Sequence, residues 1–324
     1  MKCPTPWLGS KRGYLTDWIT QRWVCLTGHR IESAANQWLL GSSGDNVCIG
    51  ADFFERVAAT QNCEIVTNAP RAGLITNFKN LDSDEFSYER LSPEVAKFYE
   101  STSDFQMDVW SEWCSVFKPF GWLLRFLFSQ RLQQLHMPIS PLETSRGITS
   151  DIIQLLDKET RQALYVGWLR TMVGSGDVIY VGLYSVCTPP KWNKPCLKVI
   201  FPLPNGHATV IMKPEICADG SLKLHSVGDA FGDAGFYFVV SDKKGHAWAK
   251  YIGAMKETIH VYPDKKNELR ADHVLKFFGL VFLRCLLYTS PRTACHRTST
   301  AIRTLMLPAK SPSSTTASSK IMTR

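Results

Sequence analysis

The most regular pattern of hydrophobic and polar positions lies between residues 148 and 284. Short runs rich in Val, Ile, Tyr and Phe alternate there with turn sequences such as GSGD, PNG, ADGS and DKKG. Runs of this kind, each ended by Gly, Pro, Asn or Asp, are typical of antiparallel sandwiches and barrels. The pattern predicts about eight to ten strands, arranged as a strongly curved antiparallel sheet or barrel.

Helical signals precede these strands. Ser92, Pro93 and Glu94 supply a cap, a proline suited to the first turn and an early carboxylate, so a helix should begin there. The stretch FQMDVWSEW alternates as a half-buried strand does, and residues 117 to 135 show the periodicity of an amphipathic helix. The predicted fold class is therefore α+β, with N-terminal helices packed on the sheet.

Three regions follow from these changes of pattern: a mixed N-terminal region (1–91), a helix-covered antiparallel β domain (92–284) and a tail (285–324). The tail is rich in Ser and Thr, has no acidic residue and shows no periodicity, which predicts disorder. It begins abruptly within the apolar run VLKFFGLVFLRCLLY, which indicates a frameshift or foreign sequence. A genuine basic, phosphorylatable tail is the alternative.

The amphipathic helix carries aromatic residues beside cations. On a helical wheel one apolar face is shared by Phe117, Phe120, Leu123, Leu124, Leu127, Phe128, Leu132 and Leu135. Trp122 and Phe126 lie on the other face with Lys118 and Arg125. Such a helix can pack on the sheet, contact a membrane surface or a protein partner, or cover a cavity as a mobile lid. All three interpretations are compatible with the pattern.

Arg131 falls near the middle of the aliphatic face of the same helix. A buried guanidinium needs an anion, because an unpaired buried charge is unfavourable by several kcal/mol. Arg131 is therefore a candidate ligand contact. The alternatives are that its side chain reaches water or pairs with an acidic residue, for which the candidates are Asp108, Glu112, Glu143 and Asp151.

The clearest hairpin is ALYVGWLRTMV-GSGD-VIYVGLYSVC, and closing it through GSGD pairs Val173 with Val178. This register predicts one inward, aliphatic face. The candidate ligand-binding residues on that face are Trp168, Arg170, Met172 and Val181.

Arg170 is the charged member of this apolar set. A guanidinium in an apolar cup is suited to a bidentate contact with a carboxylate or phosphate. We therefore expect a binding protein for a hydrophobic anionic small molecule, such as a fatty acid or a lipid-like anion. At the level of the fold alone, the architecture is similar to lipocalin-like and START-like carriers. The alternative is that Arg170 reaches water near the turn or pairs with an acid.

The sequence contains no G-x-G-x-x-G, Walker A, H-E-x-x-H or G-x-S-x-G motif, and its ten cysteines lack metal-ligand spacing. We assign no catalytic residue, metal or cofactor. Two other hypotheses remain open. One is an isomerase or hydrolase that uses a polar group such as Asp151 or His207 in the same cavity, and the other is an interaction scaffold that docks a protein through Trp122 and Phe126.

Charge and hydropathy limit the partners and the location. The formal charge is +8, but six Lys or Arg in the acid-free tail leave +2 for the rest, which argues against nucleic-acid binding. The N-terminus lacks the apolar stretch of a signal peptide, and no run of about 18 apolar residues occurs. Scattered free thiols fit a reducing compartment. The expected location is cytoplasmic, with peripheral membrane contact as the second possibility.

Overall fold

Antiparallel strands make up most of this computed structural model, which describes residues 8–9 and 13–292. Fourteen strands among these residues join one sheet, and short helices pack against it. The helices are α1 (Leu15–Thr27), α2 (Phe53–Gln61), α3 (Pro93–Glu100), α4 (Lys118–Leu124) and α5 (Gln130–Leu132), with a π-helical turn (Arg125–Ser129) between the last two.

The strands are β1 (His29–Ile31), β2 (Cys63–Thr67), β3 (Phe105–Trp113), β4 (Ile148–Asp157), β5 (Ala163–Met172), β6 (Val178–Cys187), β7 (Cys196–Leu203), β8 (Gly206–Ile216), β9 (Leu222–His225), β10 (Gly235–Ser241), β11 (Ala247–Tyr251), β12 (Met255–Pro263), β13 (Leu269–Phe277) and β14 (Leu280–Pro291).

The strand order is β2-β4-β5-β6-β7-β8-β9-β12-β13-β14-β3, and β10, β11 and β1 branch from β8. The branch arises because β8 changes partner along its length: Gly206–Ile211 pairs with β10, whereas Lys213–Ile216 pairs with β9. The predicted α+β class with an antiparallel sheet is confirmed. The predicted strand number of eight to ten is too low, and a closed barrel is not confirmed, because the hydrogen-bonded path has two ends, β2 and β3.

The predicted region boundaries differ from the structure at both ends. In the N-terminal region, β1 and β2 pair with β11 and β4, so this region contributes strands to the same sheet. At the other end, β14 continues past residue 284 to Pro291 and pairs with β3 throughout. Residues 285–291 therefore belong to the sheet rather than to the predicted tail, and buried and more exposed positions alternate from Cys285 to Thr289. Residues 293–324 lie outside the described residues.

Helices cover the two faces of the sheet in different ways. On the outer face of β4, β5 and β6, α2 packs through Phe53 and Phe54. Gly167 makes this close approach possible, because a Cβ atom there would lie within 2.1 Å of the Phe54 ring. On the inner face, α3 contributes Val95, Phe98 and Tyr99 to the largest hydrophobic core.

Candidate ligand-binding cavity

The inner face of the sheet encloses a cavity of about 240 Å³, which we call the Arg170 cavity. Its lining side chains come from every strand of the path between β5 and β3, so the sheet curves around this space. Most of the lining is aliphatic or aromatic. The ionisable side chains that line it are Tyr99, Arg170, Tyr180, Tyr184, Glu257, His273 and Cys285.

A β-bulge in the β5–β6 hairpin decides which residues face this cavity. Arg170 pairs with Tyr180, whereas Thr171 pairs with Val178, so Ile179 is the extra residue on β6. One extra residue shifts the register by one position and moves every following side chain to the opposite face. The predicted pairing of Val173 with Val178 does not occur.

The bulge separates the predicted site residues. Trp168 and Arg170 line the cavity as expected, and Tyr180 and Tyr184 join them there. Val181 instead faces the outer side and packs in the cluster that contains Phe54, so its predicted place in the cavity is wrong. Met172 lies in a hydrophobic cluster with Ile148, Ile179 and Phe282 and is not among the cavity-lining residues.

Arg170 is buried with unused hydrogen-bond donors. The residue is 4% exposed, and neither Nε nor Nη2 has a hydrogen-bond partner. Its guanidinium carbon lies 5.2 Å from the centroid of the Trp168 ring and 5.8 Å from that of Tyr180. Within the described part of the chain, no ion pair includes Arg170. The expected alternative of a solvated or acid-paired arginine does not fit this environment.

A second polar group lies on the wall formed by β12 and β13. Glu257 Oε1 and His273 Nε2 are 2.6 Å apart, which makes an ion pair although the geometry is not that of an aligned hydrogen bond. Burial lowers the pKa of His273, but the nearby Glu257 and Cys285 outweigh this and raise it to about 10. Glu257 and His273 therefore balance each other in charge, and Arg170 supplies the remaining positive charge.

The two tyrosines contribute neutral hydroxyl groups. Burial raises the pKa of Tyr180 even though Arg170 opposes the shift, and burial raises the pKa of Tyr184 well above its ordinary value. Both hydroxyls are therefore protonated at neutral pH. The Tyr180 hydroxyl interacts with both Tyr184 and Arg170, so these three side chains form one polar group in the wall of the cavity.

Arg131 lies outside the Arg170 cavity and has a structural partner. Its Nη2 atom is 2.5 Å from Asp17 Oδ1, its Nη1 atom donates to the Asn46 carbonyl, and its guanidinium carbon lies 4.0 Å from the Tyr14 ring centroid. The pair joins the end of α5 to α1. Sequence reasoning missed Asp17 because the two residues are 114 positions apart, and the predicted role of Arg131 as a ligand contact is not supported by this geometry.

The aromatic residues predicted for a membrane or partner surface are exposed, one on α4 and one on the π-helical turn that follows it. Trp122 and Phe126 are 60% and 78% exposed, and Lys118 is also exposed. Arg125 is bound to both carboxylate oxygens of Glu143, each at 2.9 Å. Phe120 and Leu123, which the helical wheel placed on a packed face, are exposed as well. The helix packs closely through Gly121 instead, whose backbone lies against the Trp113 indole.

The β13–β14 hairpin places further apolar side chains at the same end of the sheet. Cys114 donates its backbone N–H to the Phe282 carbonyl, so the hairpin tip lies beside the segment that leads into α4. Lys256 and Lys276 face each other across β12 and β13 and are exposed. We define the apolar end as the exposed residues Val116, Phe120, Trp122, Leu123, Phe126, Phe278 and Leu280.

Neither residue suggested for an enzyme reaction faces the cavity. His207 is buried on the outer face of β8, with Nδ1 2.9 Å from Thr209 Oγ1, and burial, aided by Lys198, lowers its pKa to about 3. Asp151 pairs with the outward-facing Leu169 and accepts a hydrogen bond from Asn68. The structure therefore separates both residues from Arg170.

The fold and the cavity define an α+β protein built on one curved antiparallel sheet. No family model and no solved structure matches this chain. The chain is 27% identical over 236 residues to "Uncharacterized membrane protein YndJ" of Bacillus subtilis (strain 168), an alignment that covers 72% of this chain and 40% of that protein. This chain thus spans about two fifths of the length of that relative. Within the described residues, no helix has the length and hydropathy needed to cross a membrane.

Proposed function

We propose that this protein binds a hydrophobic small molecule with an anionic head group in the Arg170 cavity. The observation that carries the proposal is the buried guanidinium of Arg170, whose Nε and Nη2 donors have no partner. A buried charge without an anion is unfavourable by several kcal/mol. A carboxylate or phosphate placed against these two donors would neutralise the charge and satisfy both hydrogen bonds.

The other lining residues favour the rest of such a ligand. The guanidinium lies beside the rings of both Trp168 and Tyr180, which limits its orientations. Beyond them the side chains of β7, β8 and β10 that line the cavity are aliphatic or aromatic, which suits a hydrocarbon chain. In this proposal Arg170 determines the charge of the ligand and the apolar wall provides most of the affinity. A cytoplasmic location of the protein stays a prediction.

The test compares dodecanoate with dodecanol, which has the same chain length and no charge. Calorimetric titration of the full chain should show a preference for dodecanoate of about tenfold to a hundredfold, as expected for hydrogen bonds to a charged group. Arg170→Leu should abolish this preference while the affinity for dodecanol is kept. Arg161→Leu, at an exposed arginine, is the matched control. An equal preference for dodecanoate in the wild type and in Arg170→Leu would refute the role of Arg170 as the residue that binds the anionic head group.

A second candidate function is contact with an anionic membrane surface through the apolar end. Two separate parts of the chain expose large apolar side chains there: α4 with the π-helical turn, and the β13–β14 hairpin. Lys118, Lys256 and Lys276 are exposed on the same elements or beside them. Aromatic and aliphatic side chains beside lysines suit the interface of an anionic bilayer. The relative in Bacillus subtilis is named a membrane protein, which supports this candidate.

Vesicle flotation tests this second candidate. The wild-type chain should float with phosphatidylserine-containing vesicles and less with pure phosphatidylcholine vesicles. Replacing Trp122 and Phe126 together with Ser should lower partitioning by about tenfold or more, since each side chain loses its apolar burial. The matched control replaces Leu15 and Leu26, two exposed residues of α1, with Ser. Equal partitioning of the two double variants would exclude the apolar end as the contact surface.

A further inference from the structure

A second apolar cavity of about 190 Å³, which we call the second chamber, lies beside the Arg170 cavity. Its walls are α1, the segment from α4 to Leu135 and the ends of β7 and β10. Within this chamber, hydrocarbon side chains dominate the lining. They include Val24, Phe128, Leu132, Leu203, Phe238 and Val240.

The two cavities occupy the same face of the sheet. On β7, Phe201 lines the Arg170 cavity and Leu203 lines the second chamber. On β10, Phe236 lines the Arg170 cavity and Phe238 lines the second chamber. Residues two apart on a strand point to the same side and are about 7 Å apart. The second chamber therefore extends the Arg170 cavity along these strands by the spacing of two residues.

Leu124 and Leu135 line both cavities and form the wall between them. Leu135 has a left-handed backbone conformation (φ 53°), which is unfavourable for a bulky residue. Its neighbours hold it in place: Gln134 accepts from the Val181 N–H and donates to the Pro202 carbonyl, and the His136 N–H donates to Ile179. The wall is thus positioned by hydrogen bonds to β6 and β7.

We infer that the two cavities form one site for a single long-chain amphiphile. Its anionic head would bind Arg170, and its chain would pass Leu124 and Leu135 into the second chamber. This inference rests on the proposed function and adds the ligand's length and orientation. The Arg170 cavity alone is below the usual size of about 300–1,000 Å³ for ligand pockets, whereas both cavities together fall within that range.

The polar groups at each end fix the orientation. At the Arg170 end, Tyr180 connects the guanidinium to Phe201, with ring centroids 5.7 Å apart, so the head site lies next to the path towards Leu203. At the other end, Asp17 lines the second chamber, and its Oδ2 atom is buried without a hydrogen-bond partner. Asp17 already pairs with Arg131, and no Lys or Arg side chain is among the described residues that line this chamber, so the chain rather than the anionic head occupies it.

Octanoate, dodecanoate and hexadecanoate, titrated calorimetrically into the full chain, test this inference. Each methylene that becomes buried should raise the affinity about fourfold, and the rise should continue from dodecanoate to hexadecanoate because the second chamber accepts the longer chain. Arg170→Leu should weaken binding of all three, since all three share the head site.

Two variants fill the second chamber from opposite walls. Leu203→Trp adds bulk from β7, and Thr20→Trp adds it from an exposed position on α1 where folding is least affected. Both should weaken hexadecanoate binding by at least about tenfold and leave octanoate binding unchanged. Leu26→Trp, on the exposed side of α1, is the matched control and should change neither.

The outcomes separate the inference from the function on which it rests. Equal affinity for dodecanoate and hexadecanoate, or an equal loss for octanoate and hexadecanoate in both filling variants, would overturn the two-chamber site while the Arg170 anchor stands. Failure of all three acids to bind in an Arg170-dependent manner would overturn the proposed function and the inference together.

Discussion

At the scale of single residues, Arg170 is unfavourable for the folded protein while no anion is bound. Its guanidinium is buried without an ion-pair partner among the described residues, and the contacts with Trp168 and Tyr180 offset only part of the lost hydration. Binding residues that reduce stability are common where function requires an unsatisfied group. The stability of the ligand-free protein is therefore informative about the role of this residue.

Arg170→Leu should stabilise the ligand-free protein by about 1–3 kcal/mol, because a leucine needs no partner in the apolar cavity. Thermal unfolding should show a rise in Tm of roughly 2–4 °C for each kcal/mol. The contrasting variant is Arg131→Leu, which leaves the buried Asp17 carboxylate unpaired and should destabilise by about 2–3 kcal/mol. A loss of Tm in Arg170→Leu as large as that in Arg131→Leu would mean that Arg170 is a structural residue.

The position of a site residue could be predicted where the alternation of side chains along a strand alone decides which face it lies on. Trp168 and Arg170 lie two positions apart on a well-patterned strand, so a shared face follows from the sequence. Val181 could not be placed, because the bulge at Ile179 has no distinctive residue signature and reverses the faces of β6. The partner of Arg131 was equally inaccessible, since Asp17 approaches only through the packing of α1.

At the scale of elements, the sequence predicts that a helix follows residue 117, but it does not predict correctly which side of the helix is buried. A wheel with 100° per residue assumes a straight α-helix, whereas the π-helical turn Arg125–Ser129 interrupts this one. The close contact of Gly121 with Trp113 then determines which side packs. Phe120 and Leu123 are exposed for this reason, which enlarges the apolar end beyond Trp122 and Phe126.

The polar wall of the cavity depends on how strands associate. Glu257 lies on β12 and His273 on β13, and each is a charged residue on an otherwise apolar inner face. A charged residue at an inward-facing, otherwise apolar position was the only sign of this ion pair in the sequence. Their ion pair, 2.6 Å long, follows from the pairing of the two strands, in which Ile259 lies opposite His273 and brings Glu257 within reach.

At the scale of the whole molecule, turn spacing predicted an antiparallel sheet but not its size or order. Eleven strands follow residue 147, and three more come from residues 29–113. β3 and β14 are joined across more than 160 residues, and β8 shares its length between β9 and β10. Such long-range pairings are not encoded in local periodicity, so the two cavities that they enclose could not be derived beforehand.

The central claim is that the curved sheet holds an anionic amphiphile through Arg170. The most direct measurement is native mass spectrometry of the full chain purified without detergent, followed by organic extraction and identification of any released molecule. We expect one anionic long-chain molecule per wild-type chain and none in Arg170→Leu prepared in the same way. A wild-type protein that is folded and empty, or an identical retained molecule in Arg170→Leu, would contradict the account.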